Sequence, residues 1–399
     1  MYGREHGRVC GVPSVPREGS STRFSAAARG ACTLRCVAHH VTLVPGDGIG
    51  PEVAEAAQRV VEAAGVEVEW DVQEAGAAVL EREGSPLPDR VLRSIERTRT
   101  ALKGPVTTPV GSGFRSVNVT LRQELDLFAA VRPALSLPGV ATRHGAVDLV
   151  VIRENTEDLY AGVEFERGSP ALERLRVELR ALAGFEIAQD AGVTVKPISV
   201  TGTHRIVRFA FDFARRNDRR TVTVGHKANI MKFSDGIFLF TAAMDAFGYP
   251  DIEFRELQVD EMAMHLALEP ETLDVLLLPN LYGDIISDLC AGLVGGLGLV
   301  PGANLGWEFA VFEPVHGSAP DIAGKGYANP TAMILSAAMM LTHLRETAAA
   351  QAVRRAVDAV LAEGSVRTRD IGGSSSTSEM SDAVSRAARA LLEGRGVTP

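Results

Sequence analysis

Short runs of consecutive apolar residues alternate along the chain with longer stretches in which apolar positions recur every three or four residues. The first run, Val41-Thr-Leu-Val44, reads as a strand. Pro45-Gly-Asp-Gly-Ile-Gly-Pro51 reads as a turn, and Glu52 to Ala64 as an amphipathic helix. Strand, turn and helix in that order predict an α/β fold. Further strand-like runs lie at Val147–Ile152, Thr221–Val224 and Val275–Leu278, and each ends where a polar motif begins. Open α/β sheets bind ligands outside the carboxyl ends of their strands, so these motifs are the candidate site. The stretch from Met333 to Leu341, broken by Ser336, predicts a buried core helix and is far shorter than the roughly 20 residues that span a bilayer. Gly372–Ser378 predicts a loop before a final amphipathic helix.

The glycines of the first turn alternate at Gly46, Gly48 and Gly50, and Pro51 follows. The G-x-G-x-x-G fingerprint is therefore absent, and a Rossmann fold is not predicted.

Composition narrows the functional classes. A chain of 399 residues, 46% hydrophobic and 23% charged, can bury one large core or two moderate ones. Its net charge of −9 argues against a nucleic-acid surface, which needs clustered positive charge, so any anion it binds requires a local basic pocket. Cys10, Cys32 and Cys36 precede the globular part, which holds only Cys290; a disulfide scaffold is excluded and a reducing compartment is expected. Cys32, Cys36, His39 and His40 lack the usual zinc-ligand spacing. The first 38 residues carry six Arg, no Lys and two acidic residues with no apolar h-region, which excludes a secretory signal. The segment resembles a transit peptide, and an upstream start in an Arg-rich chain explains it equally well. The location expected is mitochondrial matrix in the first case and cytoplasm, for a bacterial chain, in the second.

Two motifs carry candidate chemistry. Asp284 and Asp288 are four positions apart behind an apolar strand, so on a helix both acids share a face. Oxygen ligands one turn apart suit a hard divalent cation such as Mg²⁺ or Mn²⁺; helix capping by Asp284 is the alternative. Upstream, Asn118 and Arg122 share a helical face, and Arg132 and Arg153 end later segments. Three converging guanidiniums would suit a molecule with two or three carboxylates, each bound bidentately.

Taken in order, several long blocks carry a resemblance. They are Lys103-Gly-Pro-Val-Thr-Thr, Ser116-Val-Asn-Val-Thr-Leu-Arg122, Arg153-Glu-Asn-Thr-Glu-Asp-Leu-Tyr160, His226-Lys-Ala-Asn-Ile-Met-Lys232, Asn280-Leu-Tyr-Gly-Asp-Ile-Ile-Ser-Asp288 and His316-Gly-Ser-Ala-Pro-Asp-Ile-Ala-Gly-Lys325. The chain resembles the NAD-dependent isocitrate dehydrogenases within the isocitrate/isopropylmalate dehydrogenase family, from about Val41 to the last helix. The resemblance implies an α/β fold with two domains around a central cleft: a large cofactor-binding domain (residues 39–130 and 290–399) and a small substrate and dimerisation domain (131–289), after a leader of 38 residues. It implies metal-dependent oxidative decarboxylation of isocitrate to 2-oxoglutarate and CO₂, a reaction of the tricarboxylic acid cycle, with reduction of NAD.

By the same resemblance, Ser116, Asn118, Arg122, Arg132 and Arg153 bind the substrate carboxylates. Asp260, Asp284 and Asp288 hold Mg²⁺ or Mn²⁺, and Tyr160 is the acid of the decarboxylation half, near Lys227. Lys227 and Asp260 reach into the site from a neighbouring subunit, which implies a homodimer or higher oligomer with shared sites, possibly heteromeric. Thr107, Thr108, Glu313, His316, Gly317, Asp321 and Asn329 contact the cofactor. Asp321-Ile322 stands where NADP-dependent relatives tend to carry Lys-Tyr, and Gly373 where they carry an Arg. An acidic side chain accepts hydrogen bonds from a free 2′-hydroxyl and repels a 2′-phosphate, so NAD is preferred. Ser116 and Asn118 can hydrogen-bond an extra carboxylate and would be left unpaired against an alkyl group, which favours isocitrate over 3-isopropylmalate or homoisocitrate. A regulatory, non-catalytic subunit is the alternative from another class; Tyr160, Lys227, Asp260, Asp284 and Asp288 are all retained. The segment Val195-Lys-Pro-Ile-Ser-Val-Thr-Gly-Thr-His204 is unusual beside the family, and it touches no residue named above.

Overall fold

The computed structural model describes residues 38–107 and 116–394, so the leader up to residue 37, Cys10, Cys32, Cys36 and Thr108 lie outside the described residues. The first half of the chain runs β1 (His39–Val44), α1 (Gly50–Ala63), β2 (Val68–Val72), α2 (Ala77–Glu83), α3 (Asp89–Thr98), β3 (Thr100–Lys103), α4 (Val117–Glu124), β4 (Ala129–Leu135) and β5 (Asp148–Glu154). An arm follows, with β6 (Glu164–Phe165), α5 (Pro170–Ala183) and β7 (Val193–Thr194). Next come α6 (Val200–Arg216), β8 (Thr221–His226), α7 (Ser234–Ala246), β9 (Glu253–Gln258), α8 (Val259–Leu268), β10 (Val275–Leu278) and α9 (Asn280–Leu293). The chain closes with β11 (Pro301–Leu305), β12 (Ala310–Pro314), α10 (Thr331–His343), α11 (Thr347–Glu363) and α12 (Thr377–Leu392).

Among the described residues, ten strands form one mixed sheet in the order β2-β1-β3-β12-β11-β4-β5-β10-β8-β9. The outer strands on each side are parallel, whereas β12, β11, β4 and β5 pair antiparallel across the middle. Every residue of β10, Val-Leu-Leu-Leu, is buried because helices cover both faces of a parallel strand. The edge strand β9, Glu-Phe-Arg-Glu-Leu-Gln, has no buried residue and carries charges that discourage further pairing.

The apolar cores part near the β11–β4 junction. One large cluster joins β1 and α1 to α10, α11 and α12, and a smaller one packs α3 and α4 under β3. Two others use alternate residues of β5 and β10, one packing them with β8 against α6 and α7 and one packing them against α8 and α9.

Details of the sequence reading shift by one or two residues. The first helix starts at Gly50 with Pro51 in its first turn, where a missing N–H costs nothing. The predicted loop ends earlier than Ser378: Ser376 and Glu379 form a reciprocal capping box, so α12 begins at Thr377. The run Met333–Leu341 is the interior of α10 and is almost wholly buried. No described helix is long and apolar enough to cross a membrane.

Candidate active site

The central antiparallel strands deliver two arginines to one face. In the β4–β5 ladder Ala130 lies opposite Arg153 and Arg132 opposite Val151, so the two guanidiniums are diagonal neighbours. β10 places Leu278 beside Arg153, and α9 starts two residues later. The Arg153 side chain is fully buried; its Nε and Nη2 donate to Asn280 Oδ1 at 3.0 and 2.7 Å, and its Nη1 donates to Asp284. Arg132 Nη1 donates to Asp284 Oδ1 at 3.2 Å and to Ser287 Oγ at 2.5 Å, and lies 3.9 Å from Asp288 Oδ1. Tyr160, on the single turn Asp158–Ala161, donates its hydroxyl to Asp284 Oδ2 at 2.5 Å, with its ring 4.8 Å from the Arg153 guanidinium. Gly283 permits this packing: a Cβ there would stand 2.6 Å from Arg153 Cγ.

Crowding like charges sets the electrostatics. Burial, reinforced by Arg122 and Arg132, pushes the Arg153 guanidinium down to about 9. Burial would raise the Asp284 carboxyl, but Arg153 and Arg132 outweigh it and hold the group below its ordinary value. Asp288 moves the other way, raised by burial and by the charge of Asp284 against the pull of Arg132. Burial and the bond to Asp284 raise the Tyr160 phenol, keeping its proton in place at neutral pH. A surplus of fixed positive charge beside a protonated phenol and an ionised carboxylate calls for an anionic ligand.

Glu313, on β12, balances part of that charge. Its Oε2 lies 2.6 Å from Lys103 Nζ, while Oε1 accepts from Asn304 Nδ2 at 2.7 Å and Arg122 Nη2 at 3.4 Å. Burial raises its carboxyl, yet Lys103 and Arg122 hold it down at about 2. A cavity of about 110 Å³ opens between this group and Arg132. Asn118 Oδ1, Arg122 Nε and His316 Nε2 all come from residues that line it, and each is buried without a hydrogen-bond partner among the described residues. Buried polar atoms are normally paired, so these three suit a polar ligand. Ser116 stands at the head of α4, the helix that presents Asn118 and Arg122, and its carbonyl accepts from Thr120 N at 2.9 Å.

His316 and Gly317 also line a second cavity, of about 380 Å³, which continues to Asn329, Tyr327 and Asp370. Asn329 Nδ2 donates to Asp370 Oδ2 at 2.9 Å, and the Arg369 guanidinium stacks 4.0 Å from the Tyr327 ring. Asp321 is exposed beside this cavity's Ile322, its carbonyl accepting from Lys325 Nζ at 2.6 Å. The turn at Pro45–Pro51 is the clamp that shapes this end. Asp47 accepts from Thr107 N at 2.8 Å and from Ala77 N at 3.0 Å, and Thr107 Oγ1 meets Ser318 Oγ at 2.6 Å. Gly48 has φ of +59°, and a Cβ there would stand 1.9 Å from the Ser318 carbonyl oxygen, so only glycine fits.

Lys227 and Asp260 form a separate group. Lys227 Nζ pairs with Asp260 and donates to Gln258 Oε1 at 3.3 Å. The Asp260 carboxyl is lowered by its bond from Lys227 and is largely exposed. Within one chain, no group of three His, Cys, Asp or Glu able to hold a metal gathers among the described residues. Asp284 and Asp288 nevertheless fit a hard cation as two of its ligands, since they stand one turn apart on α9, close enough to share Arg132 as a neighbour, and offer only oxygen.

The sequence reading did not single out Asn280 and Ser287, which orient Arg153 and Arg132, nor Tyr327, Arg369 and Asp370 in the second cavity. Asn280 and Ser287 lie inside the quoted block around Asp284, which was their available signal.

The family profile described as isocitrate/isopropylmalate dehydrogenase matches residues 40–384. Catalytic subunit 5 of the mitochondrial NAD isocitrate dehydrogenase of Arabidopsis thaliana is 46% identical over 344 residues, covering 86% of this chain and 87% of that one. A regulatory subunit of the mitochondrial NAD isocitrate dehydrogenase of Dictyostelium discoideum is 45% identical over 343 residues, covering 86% and 90%. The crystal structure of isocitrate dehydrogenase from Methylococcus capsulatus superposes with a TM-score of 0.81 at 49% identity, covering 88% of this chain and 99% of that one.

Proposed function

The chain belongs to the isocitrate/isopropylmalate dehydrogenase family, and from that footing we propose that it oxidises and decarboxylates isocitrate to 2-oxoglutarate and CO₂, reducing NAD. The observation that carries this reading is the pair Arg122 and Arg132 lining one cavity, with Arg153 meeting Arg132 at Asp284 beside Tyr160. A tricarboxylate with a secondary alcohol matches that arrangement, because each guanidinium can take one carboxylate bidentately. When bound, Mg²⁺ or Mn²⁺ stabilises negative charge on the substrate oxygens and NAD accepts the hydride. Asp284 and Asp288 hold that cation, and the third carboxylate is Asp260 of a neighbouring subunit. Arg122, Arg132 and Arg153 orient the substrate, helped by Ser116 and Asn118, and exclude a purely alkyl substituent there. Tyr160 Oη, its proton retained at neutral pH, returns a proton to carbon after CO₂ leaves, and Lys227 of the neighbouring subunit supports that transfer. His316, Gly317 and Asn329 line the cofactor's adenosine end, with Asp321 at the ribose, Thr107 and Thr108 near the nicotinamide, and Glu313 behind Arg122.

The chain works as two lobes meeting near the β11–β4 junction, residues 39–130 with 290–399 against 131–289; the parting of the apolar cores supports this. Exposed apolar side chains on α7, α8 and α9, namely Phe240, Met244, Met264, Leu268 and Ile285, support assembly of subunits. A relative named as regulatory matches as well as one named as catalytic. The retained Tyr160, Lys227, Asp260, Asp284 and Asp288 favour catalysis. The relatives' names give mitochondria as their location; for this chain the matrix follows if its Arg-rich leader acts as a transit peptide.

The test is absorbance of reduced nicotinamide with Mg²⁺, crossing isocitrate and 3-isopropylmalate with NAD and NADP. Turnover with isocitrate and NAD that chelation abolishes is the expected result. Turnover with 3-isopropylmalate instead overturns the substrate assignment, and silence in all four overturns catalysis by this chain alone.

A further inference from the structure

The segment that departs from the family pattern contains Lys196, between β7 and α6. Its side chain is only 12% exposed, and its ammonium stands between two acids. Lys196 Nζ donates to Asp235 Oδ1 at 2.6 Å, lies 3.7 Å from Asp158 Oδ1, and sits 4.5 Å from the centre of the Tyr282 ring. Asp158 and Asp235 are both fully buried, so each needs a partner to remain charged there.

Each acid also grips a backbone amide of the catalytic machinery. Asp158 Oδ2 accepts from Leu281 N at 2.8 Å, capping α9 from outside the helix, three residues before Asp284. Asp235 Oδ2 accepts from Lys227 N at 2.8 Å. Asp158 has φ of +67°, a left-handed conformation unfavourable for a residue with a side chain, and it stands two residues before Tyr160. Strain of this kind persists only where surrounding bonds hold it.

We propose that Lys196 is a positioning residue for the acid chemistry of Tyr160: by bridging Asp158 and Asp235 it fixes, against the head of α9, both the turn that carries Tyr160 and the loop that opens with Lys227. The inference rests on the proposed role of Tyr160 as acid. Because Tyr160 faces the chain's own Asp284 and Lys227 pairs with the largely exposed Asp260, the same bridge ties the chain's own site to the part it would offer a neighbour.

A mutant cycle tests it. Lys196→Met in the full-length chain is expected to lower kcat with isocitrate by on the order of tenfold to a hundredfold, with KM little changed, as for a slightly misplaced acid. In a Tyr160→Phe background the same substitution is expected to cost less than about threefold, because the group it positions is gone. An equal loss in both backgrounds, or no loss in either, overturns the proposal. If Lys196→Met does not fold, Asp158→Asn, which keeps an acceptor for Leu281 N, is read in the same cycle with the same criteria. Hydrogen exchange separates this inference from the catalytic reading. The Leu281 and Lys227 amides are expected to exchange about tenfold faster or more in Lys196→Met than in the unmodified chain, whether or not isocitrate turns over. Unchanged protection overturns the bridge, whereas an unmodified chain silent towards isocitrate overturns only the catalytic reading.

Discussion

The groups around Asp284 and around Lys227 are built in opposite ways. Asp284 receives bonds from Arg132, Arg153 and Tyr160, and Asn280 and Ser287 hold the arginines in turn, so this half is assembled inside one chain. Lys227 and Asp260 have each other and Gln258, and Asp260 is largely exposed. A buried, multiply bonded cluster is preorganised at a cost in desolvation met by the fold. A partly exposed pair contributes less to its own subunit and is freer to complete something else. The contrast supports the proposed division of the site between chains, one half rigid and the other presented.

Breaking the inner half should give the largest effect. Arg153→Met leaves Asp284 and Asn280 without their shared donor and should destabilise the protein by about 3 kcal/mol, read as a drop in the urea midpoint, as well as ending turnover. Gly283→Ala drives a methyl into the Arg153 stem and should cost about 1–3 kcal/mol in the same measurement.

The pH dependence sharpens the contrast further. Glu313 sits at about 2 when folded against 4.5 for the free side chain, so the unfolded chain binds its proton more readily. Its contribution is complete above 4.5 and is lost as pH falls through that value towards 2. Glu313→Gln should therefore flatten the loss of stability in that window. Asp260→Asn should leave the urea midpoint at neutral pH nearly unchanged while abolishing metal-dependent turnover. A stability loss there as large as for Arg153→Met would erase the distinction between the halves.

Much of this was legible in the sequence because the relevant residues cluster in blocks. Asp284 and Asp288 reveal their shared face by spacing alone, and Val275–Leu278 reveals a buried strand by its unbroken apolar run. Three things were hidden by long-range geometry. Lys103 and Glu313 are joined only when β12 lies beside β3. Asn280 and Ser287 carry no charge, and nothing local distinguishes an asparagine that orients an arginine from one that caps a helix. Helix α5 of the arm buries only Leu172 and leaves Val177 and Leu182 outward, with Phe185 exposed just after it, which blurs the amphipathic pattern. The segment around Lys196 stood out as unusual and unconnected to the site. In the fold it reaches the site through Asp158 and Asp235, partners 38 and 39 residues away in sequence, one on each side.

Complementation between two impaired variants tests the divided site most directly. Tyr160→Phe and Lys227→Met chains, each with only residual activity alone, are unfolded together, refolded as a mixture and assayed with isocitrate, NAD and Mg²⁺. With a divided site, half of the dimers are mixed and each has one intact site, so activity should return to about a quarter of the unmodified level. A mixture as inactive as its components would place Tyr160 and Lys227 in the same chain's site, and would contradict the division between chains.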